Sequence, residues 1–180
     1  MKVDIYNTNK KYNIIYADPP WKYWAGGKKN ASKHYNCMNI TEIYKLGDII
    51  QKISNDNCIL FLWVIYPILP EALETIKHWG FKYSTLGFVW VKRNKKADTC
   101  FFGLGNYTRA NSELCLIATK GKIKRISKSV SSVIDARIME HSRKPDIVRD
   151  KIVELMGDLP RIELFARQSV EGWDCWGNEV

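Results

Sequence analysis

Apolar residues fall along this chain in two alternating patterns. Residues 12–17 form a short apolar run that stops at Asp18-Pro19-Pro20, as a strand does where proline cannot donate to a ladder. Residues 58–65 are continuously apolar, which predicts a strand buried on both faces of a parallel sheet. Shorter apolar runs at 83–91, 113–119 and 161–165 predict three further strands. Between them the spacing changes to a helical period. Thr41 can cap a helix running to about Ile53, with Ile43, Leu46, Ile49, Ile50 and Ile53 on one face. Residues 69–78 predict a second helix ending at Gly80. Pro145 opens a third, carrying Ile147, Val148, Ile152, Val153 and Leu155, which Gly157 closes. Strands alternating with helices predict an α/β domain of three layers (α/β/α) around a mostly parallel sheet. No repeat and no linker composition divides residues 1–180, so one domain is expected.

Composition narrows the partners. Lys and Arg outnumber Asp and Glu by 28 to 19, and the net charge of +9 favours a polyanion. Cations cluster at 92–96 and 120–128, and Lys28, Lys29 and Lys33 lie in the Gly- and Asn-rich stretch 22–39, which reads as a long loop. These are candidates for phosphate contacts, with solvated surface as the alternative. The five cysteines are widely spaced and the three histidines add no ligand spacing, so no metal is expected. Free thiols and the lack of an apolar leader point to the cytoplasm.

Sheets of this kind bind ligands beyond the carboxyl ends of their strands. Two predicted strand ends carry chemistry there, Asp18-Pro19-Pro20-Trp21 and Ala166-Arg167-Gln168. The exocyclic amine of adenine is a weak nucleophile because its lone pair is delocalised into the ring. Hydrogen-bond acceptors on its two protons let the nitrogen pyramidalise toward a methyl donor. Asp18 offers a carboxylate, Pro19 a carbonyl aimed by restricted φ angles, and Trp21 a face on which a base can stack. A solvated turn beside a packed tryptophan is the plainer alternative.

The Asp18-Pro19-Pro20-Trp21 tetrad resembles the signature of the MT-A70-like family of adenine-N6 methyltransferases. The likeness extends, in the family's order, through Phe61-Leu62-Trp63-Val64, Phe88-Val89-Trp90-Val91-Lys92, Gly105-Asn106-Tyr107-Thr108-Arg109, Glu113, and His141-Ser142-Arg143-Lys144-Pro145. It ends with Glu163-Leu164-Phe165-Ala166-Arg167 and Trp176-Gly177-Asn178-Glu179. The compact form is most similar to phage and prophage members.

The resemblance implies a Rossmann-like class I methyltransferase fold in permuted order, S-adenosyl-L-methionine as cofactor, and nucleic acid as substrate, with DNA favoured over RNA. It implies that Asp18, Pro19, Pro20 and Trp21 are catalytic. Asp4, Ile5, Asp18, Lys144, Phe165, Arg167, Asn178 and Glu179 would bind the cofactor, and Tyr35, Arg109, Glu113 and Lys144 the substrate. Larger members carry extensions or partner subunits for target binding. None is visible here, so a homo-oligomer or a partner subunit stays open. A silent subunit that keeps the fold is the competing reading.

Overall fold

A computed structural model describes residues 1–22, 37–105, 107–140 and 143–180. The elements follow in the order β1 (Tyr12–Ala17), α1 (Ile40–Lys45), α2 (Gly47–Ile53), β2 (Ser54–Val64), α3 (Leu69–His78), β3 (Lys82–Arg93), β4 (Ser112–Lys120), β5 (Val133–Arg137), α4 (Ile147–Met156), β6 (Arg161–Leu164) and β7 (Asp174–Trp176). The seven strands form one sheet in the order β5-β3-β4-β2-β1-β6-β7. β4 pairs antiparallel with both β2 and β3, and the remaining pairings are parallel. The sheet is therefore mostly parallel with one reversed strand, as expected of a Rossmann-like methyltransferase fold.

Side-chain alternation assigns the two faces. Ile15, Ala17, Leu60, Leu62 and Val64 pack toward α1, α2 and α3, joined by Ile43, Ile50, Ile76 and Trp79. Ile14, Tyr16, Ile59, Phe61 and Trp63 pack toward α4 through Val148, Ile152 and Met156. That is the three-layer arrangement the pattern predicted. Trp79 adds a buried anchor by donating its indole N–H to the Ile43 carbonyl at 2.9 Å.

The expected helix over 41–53 is two helices, and its cap is Asn39 rather than Thr41. The Asn39 side chain accepts from the Glu42 N–H while Glu42 accepts from the Asn39 N–H, a reciprocal capping box. The break falls at Leu46-Gly47 because the end of α3 presses there. A Cβ on Gly47 would lie 2.3 Å from the His78 carbonyl oxygen. Among the described residues no helix is long and apolar enough to cross a membrane, and the five cysteines form no disulfide.

Strand direction fixes where the chemistry gathers. The carboxyl ends of β1, β2, β3, β5, β6 and β7 meet at one rim, and the reversed β4 brings its first residues, Ser112 and Glu113, to the same rim. The crossover after β1 covers one face and α4, which leads into β6, covers the other. The β1–β6 boundary is thus the point where successive connections part, the usual crevice of open α/β sheets.

Candidate active site

At that crevice lies a cavity of about 500 Å³, within the ordinary range for small-molecule sites. Its wall includes Asp18, Pro19, Pro20, Trp21, Glu113, Lys144, Phe165, Arg167, Asn178 and Glu179. These come from the ends of β1, β6 and β7, the start of β4, and the segment before α4.

β1 ends at Asp18 because Pro19 has no N–H to continue the ladder. The Trp21 N–H then donates to the Pro19 carbonyl at 2.8 Å, closing a tight turn over Pro20. That carbonyl keeps a second lone pair. The turn is tied down from outside: the Met38 N–H donates to the Pro20 carbonyl at 2.9 Å, and the Lys22 N–H to the Met38 carbonyl at 3.1 Å. Trp21 is only 7% exposed. It donates its indole N–H to the Trp63 carbonyl at 3.0 Å, which fixes its plane along the cavity wall.

The Asp18 carboxylate sits in a row of charges. Lys144 Nζ lies 2.6 Å from Asp18 Oδ2 and 3.3 Å from Glu113 Oε2, and Lys92 Nζ lies 2.5 Å from Glu113 Oε1. Burial pushes the Asp18 carboxyl above the ordinary carboxylate range, although Lys144 pulls the other way. Burial also pushes Glu113 up, but its two lysines outweigh it and hold that carboxyl below its usual range. Burial would lower Lys144; Asp18 and Glu113 more than reverse this, so the ammonium stays charged.

The opposite wall is built by β6 and β7. Phe165 leaves β6 with φ of 61°, a left-handed conformation that non-glycine residues adopt at a cost. Its ring meets Trp176 edge to face at 5.3 Å. The Ala166 N–H donates to the Trp176 carbonyl at 2.9 Å. Gly177 follows so closely that a Cβ would lie 2.2 Å from the Ala166 carbonyl oxygen. Beyond it, Glu179 Oε1 stands 3.6 Å from Arg167 Nε at the mouth. Behind Asp18, Arg149 grips Glu163 through two bonds of 2.7 and 2.9 Å and also holds Asp146 at 2.8 Å.

Several predicted residues lie elsewhere. Asp4 is spent in a turn, accepting from the Tyr6 N–H and the Asn7 side chain, and Ile5 is in the core. Their neighbour Tyr6 lines the cavity instead, edge-on to Trp176 at 6.2 Å. Arg109 is exposed on the loop between β3 and β4 and does not line the cavity. Tyr35 falls outside the described residues. Two of the phosphate candidates are engaged by acids: Lys92 by Glu113, and Arg93 by both oxygens of Asp135, at 2.7 and 2.6 Å. The stretch 120–128 leaves the far end of the reversed β4, so it lies at the opposite rim from Asp18. Lys92, Arg149 and Tyr6 were not singled out for the site by the sequence pattern. The sequence placed Lys92 only in the basic cluster 92–96, as a phosphate candidate.

A parallel sheet with one reversed strand, and an Asp-Pro-Pro-Trp turn opening on a cavity at its carboxyl rim, define a Rossmann-like methyltransferase. The family model MT-A70 matches residues 12–179, and the chain belongs to that family, whose members are adenine-N6 methyltransferases. It is 34% identical over 194 residues to the type II methyltransferase M.MunI of Mycoplasma sp., covering 95% of this chain and 78% of that protein. It is 28% identical to an N(6)-adenosine-methyltransferase MT-A70-like protein of Arabidopsis thaliana, covering 99% of this chain and 25% of that one. Against the human N(6)-adenosine-methyltransferase catalytic subunit METTL3 the identity is 27%, covering 94% and 28%. The chain thus spans about a quarter of these two eukaryotic relatives and most of the mycoplasmal one.

Proposed function

We propose that this chain transfers a methyl group from S-adenosylmethionine to the N6 amine of adenine in DNA. The observation that carries the reading is the Asp18 carboxylate at the end of β1, facing the cavity with one oxygen held by Lys144. Its other oxygen can accept a hydrogen bond from the target amine, and the free lone pair of the Pro19 carbonyl can accept a second. Trp21, its plane fixed by Trp63, forms a wall for the adenine ring. An adenine in a duplex must leave the stack to reach this depth, at a cost of a few kcal/mol.

The donor set fits the cofactor. A cavity of about 500 Å³ combines a carboxylate for a cationic group, aromatic rings at Phe165 and Trp176, and the polar group of Arg167, Asn178 and Glu179 at its mouth. Glu179 can accept from both ribose hydroxyls, as acidic residues do in dinucleotide folds. When bound, S-adenosylmethionine supplies an electrophilic methyl carbon on a positively charged sulfur. The raised basicity of Asp18 strengthens its hold on the amine as positive charge develops on N6. The proton lost from that nitrogen passes to water.

The choice of DNA is supported by the match over 78% of the type II methyltransferase, against about a quarter of the two eukaryotic relatives. Incubating the chain with methyl-labelled cofactor and matched single-stranded DNA, duplex DNA and RNA tests it. Label in N6-methyladenine of DNA is the expected result; transfer to RNA alone would reassign the substrate, and failure to bind the cofactor would leave a silent subunit.

A further inference from the structure

Four part-buried charges alternate in sign across the sheet rim. Asp18, Lys144, Glu113 and Lys92 are joined by N···O separations of 2.6, 3.3 and 2.5 Å, and their side chains are 24, 9, 13 and 15% exposed. They come from four separate places: the end of β1, the approach to α4, the start of β4 and the end of β3. The chemistry proposed above uses the first two and leaves the far end unexplained.

The lysines are seated on a rigid base. Lys144 Nζ stands 5.6 Å from the centre of the Trp63 ring and Lys92 Nζ 5.2 Å from that of Trp90, and the two indoles meet edge to face at 6.5 Å. Each indole is locked by its N–H, Trp63 to the Tyr16 hydroxyl at 2.7 Å and Trp90 to the Ala136 carbonyl at 2.9 Å. The spacing of the two ammonium groups is therefore held by packing.

We propose that Lys92 is a positioning residue of the methylation site: by occupying one oxygen of Glu113 it keeps Lys144 shared with Asp18, and so sets how readily Asp18 accepts the target amine. The proposal rests on the reading of Asp18 as the amine acceptor. Two carboxylates and two ammonium groups balance. Without Lys92 the row carries a net negative charge, Glu113 competes for Lys144, and the ionised form of Asp18 is disfavoured. The other groups acting on Asp18 are Arg167 after β6, Glu163 on β6 and Cys115 on β4. All three stay in place when only Lys92 is changed.

The test uses the full chain with Lys92→Met, Lys92→Gln and Lys92→Arg. Two readouts are the pH dependence of kcat/KM on an adenine-containing oligonucleotide and a carbon-13 NMR titration of the Asp18 carboxylate, assigned with Asp18→Asn. Lys92→Met and Lys92→Gln should move the acid limb and the Asp18 midpoint to higher pH, with the high-pH plateau kept. Each half unit of that shift is about a threefold loss of rate on the acid side. Lys92→Arg should restore the wild-type profile. Glu113→Gln should move the limb downward and abolish the effect of a further Lys92→Met change. An unmoved midpoint in Lys92→Met and Lys92→Gln, or an equal shift in the Glu113→Gln background, would overturn the proposal, even if thermal stability falls. A wild-type chain that transfers no methyl group while the NMR shift persists would remove the methylation reading and leave the Lys92–Asp18 coupling standing.

Discussion

Lys144 and Asp18 stand 126 positions apart in sequence, yet their charged atoms lie 2.6 Å from each other at the cavity wall. Removing the ammonium would leave Asp18 and Glu113 as neighbouring part-buried carboxylates with one cation fewer between them. Breaking a buried pair from one side costs about 3–5 kcal/mol. Lys144→Met should therefore lower the unfolding free energy by about that amount at neutral pH. Urea denaturation at pH 7 measures it, and a loss near zero would mean that the pair is not desolvated.

Asp18→Asn keeps the shape of the side chain and loses its charge and half its accepting capacity. Turnover should fall by about a hundredfold or more, as when a preorganised polar contact to the transition state is removed. Circular dichroism should be unchanged. Near-normal methylation by this variant would take Asp18 out of the chemistry.

Asn178 lies at the exposed mouth of the cavity, next to the Glu179–Arg167 pair. Asn178→Ala removes one hydrogen-bonding group from the cofactor side and should weaken S-adenosylmethionine by about five- to tenfold, with kcat at saturation kept. Titration calorimetry reads the dissociation constant directly. An unaltered value would detach Asn178 from the cofactor.

Gly177→Ala probes the wall itself. The new methyl group would meet backbone rather than a yielding side chain, at 2.2 Å from the Ala166 oxygen and 2.7 Å from its nitrogen. The strand ends carrying Phe165 and Trp176 must part to admit it. Stability should drop by about 1–3 kcal/mol, with weaker cofactor binding beside it. Thermal unfolding with and without S-adenosylmethionine separates the two effects.

Glu113 gives a pH signature. Its folded value is held below the ordinary 4.5, because Lys144 and Lys92 outweigh the upward push of burial. The resulting stability is complete above 4.5 and disappears as pH falls through the lower folded value. The gap in unfolding free energy between wild type and Glu113→Gln should therefore shrink on acidification below 4.5. A gap independent of pH would show that the carboxylate gains nothing from its lysines. Asp18 behaves in the opposite sense, since its folded value is raised and its ionisation costs stability as pH increases.

Much of this was legible where one local rule decides the outcome. β2 is readable because burial on both faces demands an unbroken apolar run. The ends of α3 and α4 are readable because Gly80 and Gly157 take φ of 79° and 90°. The Asp18 turn is readable because two prolines stop a strand. β5 is not, since it is an edge strand whose Ile134 is buried between exposed Val133 and Asp135. β7 has only three residues and exists through its pairing with β6. The joint between Lys92 and Glu113 depends on β4 running backwards. Side-chain alternation reads the same in either direction, so no periodicity could reveal it.

That reversal also divides the positive charge between two poles. Lys95 and Lys96 follow β3 on the catalytic side, whereas Lys122, Lys124, Arg125 and Lys128 follow β4 on the other. A polynucleotide touching both clusters must travel along a flank of the sheet for the full length of a strand. Its footprint would then reach well past the nucleotide being modified, by a distance that the span of β4 sets.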